Sequence, residues 1–208
     1  MIEAVIWDFG GVFTSSPFEA FMRFEREEGL PPNIIRQINA FNHLDNAWAK
    51  FERAEIDAEG FDKAFGEEAL ARGHRISGRE IIALLRGEIR PEMVTALRLV
   101  KRLHKTGCIT NNVASMQASG GAVNAARAVM GLFDHVIESS RVGIRKPDRR
   151  IYEMMCEALE VAPRNCVYLD DIGVNLKPAR DMGMTTIKVE SGPQALADLE
   201  VALSMTLT

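Results

Sequence analysis

Asp8 ends the apolar run of residues 2–7 and is followed closely by Gly10 and Gly11. Much later in the chain, Thr110-Asn111 follows Cys108-Ile109, Lys146 lies in the basic loop 141–148, and Asp170-Asp171 follows the apolar run 166–169. Carboxylates at two strand ends can hold a hard divalent cation, and Mg²⁺ takes one or two carboxylates together with waters and substrate phosphate. A Thr hydroxyl, the backbone N–H after it and a Lys supply donors for phosphate oxygens. A carboxylate can also attack phosphorus as a nucleophile and form an acyl-phosphate. Together these residue types describe phosphoryl transfer through an aspartyl-phosphate. Each also has a plainer role: Thr110-Asn111 and Asp170-Asp171 as helix caps, Lys146 as a solvated loop residue.

For these residues to meet, the strands that carry them must be parallel, because only then do their carboxyl ends share one edge of a sheet. Residues 2–7 are short and apolar apart from Glu3, as expected of a buried central strand. Ser15, Ser16 and Pro17 then signal a helix start, and Phe18, Phe21 and Met22 recur at helical spacing until Pro31-Pro32. The helical period continues through Ile34, Ile35, Ile38, Leu44, Trp48, Phe51, Phe61 and Phe65 without a strand signal. Residues 15–89 therefore read as a small helical cap inserted after the first strand, with 1–14 and 90–208 as the discontinuous core. Phe18, Phe21 and Trp48 are expected to pack inside this cap.

After residue 90 the elements alternate. A helix is expected over 91–104, a strand ending at Thr110, an Ala- and Gly-rich helix over 113–131 with a break at Gly120-Gly121, and a strand over 133–137. A helix over 151–159, a strand over 166–169, a helix containing Pro178 and stopped by Gly183, a strand over 185–189 and a helix over 193–203 complete the chain. Strands alternating with helices mean an α/β fold with a parallel sheet and right-handed crossovers.

The 208 residues suffice for one good-sized domain, or a core with a smaller insertion. Hydrophobic content of 47% with 26% charge reads as globular. A net charge of −4 and a pI near 5.7 argue against nucleic-acid or anionic-membrane binding. No signal peptide or spanning segment is apparent, and Cys108, Cys156 and Cys166 read as free thiols in a reducing compartment. A cytoplasmic protein, monomer or homodimer, is the expectation. His43, His74, His104 and His135 fit no metal-ligand spacing.

The motifs WDFGGVF, TNN, KPDRRIY and YLDDIGVNLKPARDMGM, in this order, resemble those of the haloacid dehalogenase superfamily across essentially the whole chain. The last is similar to that of the N-terminal phosphatase domain of soluble epoxide hydrolases and of related bacterial phosphatases. The resemblance implies a Rossmann-like core with a helical cap, Mg²⁺ as cofactor and a small-molecule phosphate as substrate. Position by position, it implies that Asp8 is the nucleophile and a metal ligand, and that Thr110 binds phosphate with Asn111 and Gly11 beside it. It further implies that Lys146 neutralises nucleophile and phosphate, that Asp171 binds the metal, and that Asp170 and Asn175 support the site. The family's phosphatases place a second Asp, their general acid and base, two residues after the nucleophile. Here that position is Gly10, which keeps a backbone carbonyl for the metal but has no side chain.

General acid–base help is worth about 10²–10⁴ in rate, so three readings stay open. One is a phosphatase that handles good leaving groups or takes its acid from the cap, with Glu19, Glu25 and Asp45 as candidates. Another is a dehalogenase-type hydrolase, whose Asp attacks carbon. The third is a phosphate-ligand-binding or interaction module without turnover.

Overall fold

The computed structural model describes residues 1–85, 87–112 and 121–207. Five parallel strands, β1 (Ala4–Trp7), β2 (Lys105–Thr110), β3 (His135–Glu138), β4 (Cys166–Asp170) and β5 (Thr185–Lys188), form a sheet in the order β3-β2-β1-β4-β5. Helices α1 (Pro17–Glu27), α2 (Ile34–Ala40), α3 (Ala47–Glu52), α4 (Ala58–Leu70) and α5 (Gly78–Ala83) intervene between β1 and α6 (Pro91–Val100). The remaining helices are α7 (Gly121–Met130), α8 (Ser139–Val142), α9 (Arg149–Ala158), α10 (Gly173–Asp181) and α11 (Gly192–Leu203). This is a Rossmann-like α/β fold with a helical insertion after the first strand.

The apolar run before Asp8 is central because it can be buried on both sides: every residue of β1 is buried, whereas the edge strands β3 and β5 are partly exposed. Side chains alternate between the two faces. Val5 and Trp7 join Cys108, Val167 and Leu169 in a core completed by Met93 and Leu97 of α6 and Leu199 of α11. Ala4 and Ile6 join Ile109, Cys166 and Tyr168 on the other face, under Tyr152 and Met155 of α9 and Leu176 of α10. All three cysteines are free and buried.

The inserted helices have a core of their own, built on Phe21, Ile35, Ile38, Phe51, Phe61 and Phe65. Phe51 stacks on Phe61 at 4.6 Å, and Trp48 meets Phe61 and Phe21 edge-on at 5.5 and 6.4 Å, while Phe18 packs against the same cluster. Ser16, Asn46, Asp57 and Ser77 each cap the helix that follows through a side-chain oxygen. The chain enters and leaves this unit through one narrow neck. Thr14 bridges Ile89 in antiparallel fashion, Ser15 N–H donates to Glu88 C=O at 2.9 Å, and Arg90 N–H donates to Phe13 C=O at 2.8 Å. The neck is drawn tight at Gly87, where a Cβ would lie 2.7 Å from Ser15 C=O.

The differences from the sequence-based elements are local. The neck is a single bridge made by tertiary proximity, so it leaves no two-residue period to read. The basic loop expected over 141–148 begins instead with α8, which Gly143 ends in the left-handed region at φ 67°. Of the helix expected over 113–131, residues 113–120 lie outside the described residues. Among the described residues, no helix is long and apolar enough to cross a membrane.

Candidate active site

The register of the sheet brings the acids together. Trp7 is paired with Leu169, so the residues that follow, Asp8 and Asp170, stand side by side at the carboxyl edge of β1 and β4. Asp8 N–H donates to Leu169 C=O at 2.8 Å and fixes this placement. On the other side Trp7 is paired with Cys108, which leaves buried Thr110 at the same edge. The strand order reverses between β1 and β4, where open α/β sheets form their ligand crevice.

Lys146 reaches this edge from the loop before α9, and its side chain is almost wholly buried, at 1% exposure. Its Nζ lies 2.7 Å from Asp8 Oδ1 and 2.8 Å from Asp170 Oδ2. Burial alone would pull the ammonium down, but Asp170 and Asp8 outweigh it and hold Lys146 charged, above the usual lysine range. Burial pushes the Asp8 carboxyl well up, Lys146 opposes it, and Asp170 and Asp171 push it further. Asp171 is raised to about 6, by burial first and then by Asp170.

The two acids of the pair are differently occupied. Asp170 accepts from Lys146 Nζ, Tyr168 OH, Ile172 N–H at 2.8 Å and Asn175 Nδ2 at 3.1 Å, so both its oxygens are engaged. Asn175 is in turn held by Tyr152, whose OH donates to its C=O at 2.6 Å. Asp171 instead turns toward the loop after β1. Gly11 has φ 74°, and a Cβ there would sit 2.1 Å from Asp171 Oδ2, so only glycine permits this close approach. Gly10 is exposed, with nothing within 4 Å of where a Cβ would lie.

Oxygens of Asp8, Asp170 and Asp171 lie within 4.8 Å of one another, and no histidine or cysteine belongs to the group among the described residues. An all-oxygen donor set fits a hard cation such as Mg²⁺. Burial, and after it the neighbouring acids, raise Asp8 and Asp171, and a bound cation would offset both.

The remaining predicted residues fall nearby in varied roles. The Asn111 side chain is turned to the main chain of Lys146: its Oδ1 accepts Lys146 N–H at 2.8 Å and its Nδ2 donates to Lys146 C=O at 3.1 Å. Of the acids considered as replacements for the missing side chain, Glu25 is spent on structure. Its two oxygens accept Asn33 N–H and Ile35 N–H at 2.7 and 2.9 Å and cap α2. Glu19 is exposed on α1, and exposed Asp45 faces Lys50 at 3.6 Å. The acid that does reach the strand ends from the inserted helices is Glu52, which the sequence reading did not single out. It accepts from Asn111 Nδ2 at 3.2 Å and pairs with Arg145 at 2.5 Å. No local signal marks it, because it sits at the end of an ordinary amphipathic turn.

A doubly wound α/β fold with an acid cluster and a buried lysine at its strand ends defines a site suited to a hard cation and an anionic ligand. Residues 2–183 match the haloacid dehalogenase-like hydrolase family, and the chain belongs to that family. It is 31% identical over 221 residues to Bifunctional epoxide hydrolase 2 of Sus scrofa, covering 99% of this chain and 40% of that protein. It is 29% identical over 201 residues to Phosphatase MT3486 of Mycobacterium tuberculosis, covering 93% of this chain and 89% of that protein. Among solved structures, a HAD family enzyme of Bacteroides thetaiotaomicron in complex with magnesium and inorganic phosphate has the same fold, with a TM-score of 0.62 and 18% identity over 92% of this chain and 96% of that one. The chain spans less than half the length of the epoxide hydrolase relative.

Proposed function

We propose that the protein is a Mg²⁺-dependent phosphatase of small-molecule phosphomonoesters that works through an aspartyl-phosphate on Asp8. The observation that carries this reading is Lys146 Nζ set between Asp8 and Asp170 at 2.7 and 2.8 Å, with Asp171 in the same oxygen cluster. The name of the mycobacterial relative, and the magnesium and phosphate bound in the Bacteroides enzyme, support it. In this reading residues 15–89 form a cap, and 1–14 with 90–208 form the core.

The Asp8 carboxylate attacks phosphorus in line, and the bond to the leaving oxygen breaks. Lys146 offsets charge on the nucleophile and on the transferring group, in a buried setting where fixed charges act strongly. Thr110 Oγ1 and the backbone N–H of Asn111 orient the phosphoryl oxygens, while the Gly11 N–H, which donates to Thr14 Oγ1 at 3.2 Å, joins them on giving up that bond. Asp170 holds Lys146 in place, and Asn175 holds Asp170. Asp8, Asp171 and the Gly10 carbonyl would hold Mg²⁺, which when bound supplies charge neutralisation at the phosphate oxygens. With no side chain at Gly10, the leaving group departs without a proton from that position, and water cleaves the acyl-phosphate slowly. Activated esters are therefore the better substrates.

The test is hydrolysis of p-nitrophenyl phosphate with Mg²⁺, with EDTA, and by Asp8→Asn. Turnover that requires both Mg²⁺ and Asp8, with a hydroxylamine-labile label trapped on Asp8 by acid quench, supports the reading. Turnover no greater than that of Asp8→Asn would sink it. Gly10 favours a phosphate-binding module in that event, and phosphate compounds that raise the melting temperature would identify its ligand.

A further inference from the structure

We propose that Glu52 is a positioning residue that makes the placement of Lys146 depend on how the cap is seated. The kinetic consequence rests on the phosphatase reading; the coupling itself does not.

Glu52 is the last residue of α3 and its carboxylate is buried, at 8% exposure of the side chain. It accepts from three donors. Trp48 Nε1, at 2.9 Å, belongs to the cap; Arg145 Nε, at 2.5 Å, and Asn111 Nδ2, at 3.2 Å, belong to the core. A carboxylate needed only for the cap's own fold would find its partners there, as Glu25 does. Glu52 instead takes two of its three from the residue that holds the Lys146 main chain and from the chain neighbour of Lys146. Arg145 is the neighbour of Lys146 in the chain, and Asn111 grips the Lys146 main chain through both its N–H and its C=O.

The same face carries two further links, Ser139 Oγ donating to Glu52 C=O at 2.7 Å and Arg145 Nη1 donating to His43 C=O at 2.8 Å. A buried carboxylate that loses its partners is strongly disfavoured, and so are the donors it leaves behind. Lifting α3 from the core therefore releases Asn111 and Arg145 together. Lys146 then loses the restraint on its backbone, and its Nζ is no longer pinned between Asp8 and Asp170. Seating the cap restores the arrangement, so closure over a substrate and alignment of the lysine occur as one event.

The experiment compares Glu52→Ala and Glu52→Gln, each alone and combined with Asn111→Ala, by p-nitrophenyl phosphate kinetics and by amide exchange at Lys146. Glu52→Ala is expected to lower kcat by roughly tenfold or more, since a misplacement of about 1 Å in a catalytic group can cost about 10²-fold. KM should stay within about twofold. Glu52→Gln keeps size and an acceptor oxygen and should fall between Glu52→Ala and the wild type. In the Asn111→Ala background the loss should shrink, because one of the two links from Glu52 to the Lys146 segment is already gone. The Lys146 N–H should exchange faster in Glu52→Ala, while the amides of Ala4–Trp7 keep their protection.

Additive losses in the double variants, or unchanged exchange at Lys146, overturn the proposal even if the enzyme is an Asp8-dependent phosphatase. Faster exchange at Lys146 in a protein with no Asp8-dependent turnover supports the coupling and rejects the phosphatase reading alone.

Discussion

Returning a carboxylate to position 10 is the sharpest perturbation of the proposed chemistry. Gly10 is exposed, its backbone lies outside the left-handed region, and a Cβ there meets nothing within 4 Å. Gly10→Asp therefore introduces neither clash nor strain, and its effect on stability should stay within about 0.5 kcal/mol, as for ordinary surface positions. General acid catalysis contributes about 10²–10⁴, or ~3–5 kcal/mol off the barrier. That gain is available only where the leaving oxygen needs a proton. The expected result in single-turnover phosphoenzyme formation is an acceleration of at least roughly 10² for an alkyl phosphate such as glycerol phosphate, with a much smaller change for p-nitrophenyl phosphate. The dependence of rate on leaving-group basicity should flatten, and the lifetime of the acid-quenched phosphoenzyme should shorten. Equal acceleration of phosphoenzyme formation from both esters, or no acceleration of either step in a folded variant that still binds Mg²⁺, would refute the assignment of Gly10 as the missing acid.

The other expectations concern the charges around the site. Lys146→Met leaves Asp8 and Asp170 buried without their shared cation, which should cost about 3–5 kcal/mol in denaturant unfolding; a loss under about 1 kcal/mol would contradict the buried triad. Asp171 is raised to about 6 in the folded protein, above the usual carboxyl value of about 3.9. The folded state thus holds an extra proton between these values, so the contribution of Asp171 to metal-free stability falls as pH rises through about 4 to 6. Mg²⁺ must displace that proton, so its affinity should fall about tenfold per pH unit below about 6; calorimetric affinities that match at pH 5 and pH 7.5 would count against Asp171 as a ligand. Gly11→Ala places a methyl 2.1 Å from Asp171 Oδ2 at a φ of 74°, and should weaken Mg²⁺ binding more than it lowers the melting temperature. Glu25→Gln should lower stability by roughly 1–2 kcal/mol through the lost cap of α2 and leave the pH–rate profile unchanged; a shifted profile would mean that Glu25 acts in the chemistry.

Much of the site was legible because it is written at the ends of short apolar runs. A buried strand is mostly apolar, and the polar residue that ends it lies at the sheet edge, so Asp8, Thr110 and Asp170-Asp171 could be placed from pattern. The helical insertion was legible for the same reason, through its period. Loops carry no such period. The sequence brought Lys146 to the site through the resemblance of KPDRRIY, and no period in that loop encodes that its ammonium sits between Asp8 and Asp170.

What the sequence by itself determined, then, is the fold class, the order of the strands along the chain and the set of residues at their carboxyl ends. The tertiary structure decided which acid serves which partner. It gave Asp170 to Lys146, Tyr168, Ile172 and Asn175 and turned Asp171 toward Gly11. It also spent Glu25 on α2 and sent Glu52 to Asn111 and Arg145. The physical reason is range. Burial pattern and capping act between neighbours in the chain and are visible in its order. Pairing of a carboxylate 59 residues from its amide partner depends on how two separately packed cores meet, and the chain order does not record that.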